Sequence, residues 1–164
     1  MAHTCEADET AARAVISASN GQRTCVLLPV GCLLRRADAV GVIGAALVAA
    51  GAGWGHRRVA RLVERPASTV RGWLRRFDAR ARPLRIGFTA LAVALAPAPV
   101  MPEPTGCGIG DAVAAILTAA WAVWSRWPGL VSIVSAWQIA AAVTSGRLLA
   151  PALGLEWINT SRLW

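Results

Sequence analysis

The sequence predicts an all-α protein: a tri-helical helix-turn-helix unit over 33–83, followed by a C-terminal Ala-rich helical hairpin within 84–150. Three observations carry this expectation. Apolar residues recur at spacings of three and four along successive stretches, the period of helices with one buried face. Glycine and proline clusters punctuate those stretches where helices have to stop. The charge gathers on the middle stretches, where Arg57, Arg58, Arg61, Arg65, Arg71, Arg75, Arg76, Arg80, Arg82 and Arg85 face only Glu64 and Asp78, so that 10 − 2 = +8. That equals the net charge of the whole 164-residue chain, because the seven remaining arginines are matched by seven acids.

The leader, 1–32, mixes Thr, Ser, Asn, Gly and acids without a sustained period and is expected to be poorly ordered. Within it, Cys25-Val-Leu-Leu-Pro29 reads as a short strand or an extended lead-in. The first helix is expected to start at Asp38 as N-cap and to turn Val40, Ile43, Gly44, Leu47 and Val48 to one side, stopping in the glycines of 51–55. The second, 56–64, sends Val59, Ala60, Leu62 and Val63 inward and Arg57, Arg58 and Arg61 outward, and 65–67 forms the turn.

Ser68 is the expected N-cap of the third helix, in which Val70, Trp73, Leu74 and Phe77 fall at i, i+3, i+4 and i+7. The opposite face holds Ser68, Arg71, Gly72, Arg75 and Arg76, and Pro83 ends the run. A short apolar helix over 84–96 stops at Pro97, and the prolines and glycines up to Gly110 form a linker or a rigid surface loop. Asp111 is expected to cap the first member of the hairpin, with Val113, Ile116, Leu117, Ala120, Trp121 and Trp124 along one side. Its partner runs from about Leu130 to Thr144, and the tail over 151–164 lacks periodicity.

Composition narrows the function classes. Mean hydropathy is +0.49 and 55% of residues are hydrophobic, which raises the question of a membrane. The uncharged stretch 39–56 is rich in glycine and alanine, the stretch 127–146 opens on Trp127-Pro128-Gly129, and the run 112–125 is short, against the roughly twenty apolar residues a span needs. A spanning segment is therefore not the expectation. Acids at Glu6, Asp8 and Glu9 do not suit a secretory leader, so a cytoplasmic, nucleoid-associated protein with reduced thiols is expected. Cys5, Cys25, Cys32 and Cys107 form no C-x-x-C pair, and no metal or other cofactor is expected. No catalytic triad, phosphate-cradling loop or acid–base pair stands out, and no enzymatic activity is expected.

The basic stretch points to double-stranded DNA. Its basic residues are all arginine, whose planar guanidinium grips phosphates and guanine edges bidentately. Arg71 and Arg75, one turn apart on the third helix, are the expected base or near-base contacts, with Gly72 and Arg76 on the same face. Ser68 and Thr69 suit a phosphate at the helix start, and Arg57, Arg58 and Arg61 flank the backbone. Trp73 and Phe77 are core, and His56 starts a helix. The C-terminal hairpin either packs on this unit or pairs two copies into a homodimer; Trp121, Trp124 and Trp137 are assigned to internal core. The competing reading is a small membrane-associated protein with a basic cytosolic segment.

The string from Val59 to Arg76, VARLVERPASTVRGWLRR, resembles the helix-turn-helix of transposase-type and recombinase-type DNA-binding regions. With Leu27-Leu-Pro29, Leu34-Arg-Arg-Ala-Asp-Ala39, Val42-Ile-Gly-Ala-Ala46 and Ser145-Gly-Arg-Leu-Leu149, it is similar to small actinobacterial helix-turn-helix proteins associated with mobile elements, over roughly 26–150. The resemblance implies a homeodomain-like fold and a transposase-like accessory or regulator. Such relatives carry an N-terminal zinc ribbon with two C-x-x-C pairs; this chain has neither, so the ribbon is lost or degenerate. Glu64 stands where the family pattern has glycine, and has to adopt the turn without glycine's freedom.

Overall fold

The computed structural model describes residues 15–16, 25–26, 31, 33, 38–96 and 98–150. Most of the expected leader and the whole tail over 151–164 lie outside the described residues. The described chain is helical: α1 (Val40–Gly51), α2 (His56–Leu62), α3 (Ala67–Asp78), α4 (Ala81–Leu95), α5 (Gly108–Arg126) and α6 (Ala136–Val143). A two-residue antiparallel ladder joins β1 (Val15–Ile16) to β2 (Cys25–Val26), in the register Val15 to Val26.

Helix boundaries differ from the expected ones for local reasons. Ala39, not Asp38, is the N-cap of α1, because the Asp38 carboxylate instead accepts from Arg65 Nε at 2.6 Å. α3 starts one residue before Ser68, with Pro66 as N-cap and no side-chain capping bond, so Ser68 lies inside the first turn. Pro83 does not end α3. That helix closes at Asp78, and Pro83 sits in the first turn of α4, where a missing N–H leaves no helical bond unmade. Asp111 lies in the first turn of α5 and Cys107 is the N-cap. The expected 130–144 helix is shorter: Pro128–Leu130 forms a 3-10 turn, and α6 opens later on a capping box in which Ser135 and Gln138 bond reciprocally.

Several helices end on residues in the left-handed region. At the end of α1, Gly53 has φ 86°, and Trp54 N donates to Ala49 O while Gly53 N donates to Ala50 O, the paired bonds of a Schellman motif. The same position after α2 is Glu64, at φ 53°, with Arg65 N donating to Ala60 O. After α6 it is Ser145, at φ 50°, with Gly146 N donating to Ala141 O. Glu64 therefore takes up the conformation expected of it, without glycine's freedom.

One buried cluster runs through all six helices, from Leu33 to Leu149. Val70, Trp73 and Phe77 of α3 meet Val59 and Ala60 of α2 and Ile43 and Leu47 of α1 there. Val48, expected inside, is 43% exposed, because the small Ala46, Ala49 and Ala50 of α1 take the buried side, and Leu62, also expected inside, is 53% exposed at the end of α2, where Val59 and Ala60 are buried. α5 departs most from expectation. Its buried residues are Ala112, Val113, Ala115, Ile116, Ala119, Ala120, Ala122 and Val123, whereas Leu117 is 42% and Trp121 69% exposed. It packs most extensively on α4, and also against α1, α3 and α6, so its alanines serve several neighbours at once. Of the three tryptophans assigned to core, Trp137 is buried, Trp124 is half-buried with its indole N–H donating to Val134 O at 3.0 Å, and Trp121 is outside.

Two close approaches fix the helices. A Cβ on Gly51 would come within 3.1 Å of the Gly110 Cα, so the end of α1 touches the start of α5 backbone to backbone. A Cβ on Gly44 would overlap the buried indole of Trp137. Gly44→Ala is accordingly expected to destabilise the fold by about 1–3 kcal/mol, the usual cost of overpacking a filled core. Urea denaturation monitored by tryptophan fluorescence measures it; an unchanged midpoint would show that the indole has room to move.

Candidate nucleic-acid interface

The candidate surface is built by α2, the connection over 63–66, and α3. At about 100° per residue, the buried Val70, Trp73 and Phe77 of α3 define one side, and Ser68, Arg71, Gly72, Arg75 and Arg76 fall on the other. Arg71, Arg75, Arg76 and Ser68 are exposed; Thr69 and Gly72 are half-buried. α2 repeats the arrangement, with Val59 and Ala60 buried and Arg57, Arg58 and Arg61 exposed. Each of the nine candidate residues thus lies outside the buried cluster, and the two helices pack directly on each other.

The arginines of the basic stretch divide by role. Arg65 is a tie: its Nε bonds Asp38, both side chains are largely covered, and its Nη1 donates to Glu64 O at 3.1 Å, bracing the turn into α3. Arg80 is 2% exposed. Its Nη1 donates to Arg147 O and, at 2.8 Å, to Ala150 O, which anchors the α3–α4 junction to the chain beyond α6. Burial lowers its pKa from the usual arginine value, yet a guanidinium remains charged at neutral pH. Arg85 lies 3.4 Å from Asp111, a long pair in which the arginine is about half exposed and the aspartate largely covered. Arg57, Arg58, Arg61, Arg71, Arg75, Arg76 and Arg82 make no ion pair within the described residues.

Arg58 has a further contact. Its guanidinium stacks 3.6 Å from the centroid of the Trp54 ring, in the loop that precedes α2. The i, i+4 spacing of Trp54 and Arg58 was the available signal for this pair. The Arg80 bonds had no such signal, since their acceptors lie 67 and 70 residues away. No cluster of three or more His, Cys, Asp or Glu side chains able to hold a metal occurs among the described residues. Cys5, Cys32 and His3 lie outside them.

α5, at 19 residues and mean hydropathy 1.4, is long and apolar enough to cross a membrane by length and composition, and 44% of that span is buried within the fold. No protein-family model, curated protein or solved structure matches this chain.

Gly72 separates two demands on α3. The nearest atom to a Cβ placed there is Arg76 Nη1, at 3.0 Å, the mobile end of a long side chain. Alanine therefore fits once that guanidinium swings aside, and Gly72→Ala is expected to stabilise the protein by about 0.5–1 kcal/mol through helix propensity. A shift of the urea midpoint to higher concentration checks this; a fall would mean that the position of the Arg76 guanidinium over Gly72 matters to the fold.

Proposed function

We propose that α1, α2 and α3 form a helix-turn-helix unit that binds double-stranded DNA, with α3 entering the major groove and α2 lying along the backbone. The observation that supports it best is the outward set Arg71, Arg75 and Arg76 on α3 beside Arg57, Arg58 and Arg61 on α2, opposite the buried stripes of both helices. A concentrated positive surface is the electrostatic footprint of a polyanion binder. Arg71 and Arg75 suit base edges, Arg57 and Arg61 phosphates, and Ser68 and Thr69 a phosphate at the start of α3. Stacking on Trp54 limits the freedom of Arg58, which lowers the entropy lost when it meets a phosphate.

In this reading the protein is a non-catalytic, cytoplasmic DNA-binding accessory or regulator of the mobile-element kind. Residues from α4 onward brace the unit, and a second copy would double a site that a lone module covers with about 600–1,000 Å². A second reading, membrane association, is favoured by the length and hydropathy of α5 together with its exposed Leu117 and Trp121.

Fluorescence anisotropy with random and selected duplexes over a range of salt tests the DNA reading. Binding should weaken as salt rises, with a log–log slope of about −0.9 for each phosphate neutralised. Arg75→Ala should cost about 1–3 kcal/mol on the selected duplex and less on random DNA, while Arg57→Ala should mainly reduce the salt slope, by about one. Absence of binding to any duplex at low salt would overturn the proposal, and sedimentation with lipid vesicles instead would carry the second reading.

A further inference from the structure

A cleft of about 610 Å³ lies between the first half of α4 and the first half of α5, beneath the loop over 101–104. Its apolar lining includes Ile86 of α4, Met101 of the loop and Ala114 of α5. Its α4 wall carries Arg82 and Arg85, three residues apart and so on neighbouring positions of one helix face. Glu103 of the loop and Asp111 of α5 line it as well.

The two carboxylates are not equivalent. Asp111 Oδ1 accepts from Thr105 N at 2.7 Å and from Thr105 Oγ1 at 2.8 Å, and these bonds, aided by the Arg85 charge, hold its pKa below the ordinary aspartate range. Asp111 is therefore committed to closing the loop onto α5. Its remaining oxygen meets Arg85 at 3.4 Å, a long contact whose arginine side is about half exposed, and a pair of that length and exposure is worth little. Arg82 is exposed and has no ion-pair partner among the described residues. One guanidinium is thus open and the second is weakly held, at the rim of an apolar trough of ligand size.

We propose that this cleft binds a small amphipathic carboxylate, its head gripped by Arg82 and Arg85 and its hydrocarbon body laid on Ile86, Met101 and Ala114. Guanidinium forks match a carboxylate bidentately, and exchanging the Asp111 contact for a ligand head costs little. Glu103, exposed at the rim, disfavours a second negative charge and sets the ligand at one. The site is separate from α2 and α3, and its test contains no nucleic acid, so its failure and that of the DNA reading are distinguishable.

Calorimetric titration of the full chain with decanoate, decanol and decylammonium, and with phosphatidylglycerol vesicles as a separate arm, decides it. Decanoate should saturate one site and bind at least about fivefold more tightly than decanol, the margin of a charge-assisted bond at a partly exposed head. Arg82→Gln should weaken decanoate about five- to tenfold, and Glu103→Gln should strengthen it. Ala90→Trp, at an exposed position lining the cleft, should abolish binding without lowering the melting temperature. Equal affinity for decanol, preference for decylammonium, binding to vesicles but not to free decanoate, or binding that survives a folded Ala90→Trp would each overturn the proposal.

Discussion

Helix α5 can touch α1, α3, α4 and α6 because five of its eight buried residues are alanine. Helix axes approach most closely where side chains are small, and here the approach reaches backbone contact at Gly51 and Gly110. The same constraint recurs at Gly44, whose missing side chain is the space the Trp137 indole fills. Large side chains on these surfaces would push the helices apart and open the cluster that runs from Leu33 to Leu149. Everything else in the fold is arranged around helices held this close.

The position of the charge follows from that packing. α2 and α3 each spend their apolar side on the common cluster, Val59 and Ala60 from one, Val70, Trp73 and Phe77 from the other, and their arginines are left facing water. Two arginines of the same stretch are withdrawn for structural work. Arg65 ties the turn to Asp38, and Arg80 is buried against the carbonyls of Arg147 and Ala150, where removing it would take a donor from each and leave Arg147 O only its bond from Ala150 N. The surface that remains is smaller than the sequence charge implies but better ordered, with Arg58 stacked on Trp54 and Glu64 holding the turn at φ 53°.

Much of this was legible in the chain and some was not, for physical reasons. The amphipathic α3, with its apolar residues at i, i+3 and i+7, identified its buried face and therefore its exposed one, because a single stripe admits one orientation. α5 misled because alanine counts weakly as hydrophobic: Leu117 and Trp121 drew the expected stripe, while packing selected the small side that lets neighbours come close. The helix starts at Ala67 and Ala81 carry no local signal, because their N-caps, Pro66 and Arg80, make no side-chain capping bond. The roles of Asp38, Arg65 and Arg80 depend on partners far along the chain, which no local pattern encodes.

The central claim is that the faces of α2 and α3 opposite the shared core are where a polyanion docks. Mapping amide chemical-shift changes in the isotopically labelled protein during titration with a DNA duplex tests it most directly. The account predicts changes concentrated in 56–62 and 67–78, with Leu117 and Trp121 of α5 undisturbed. Changes centred on α5, or none in either segment, would contradict it.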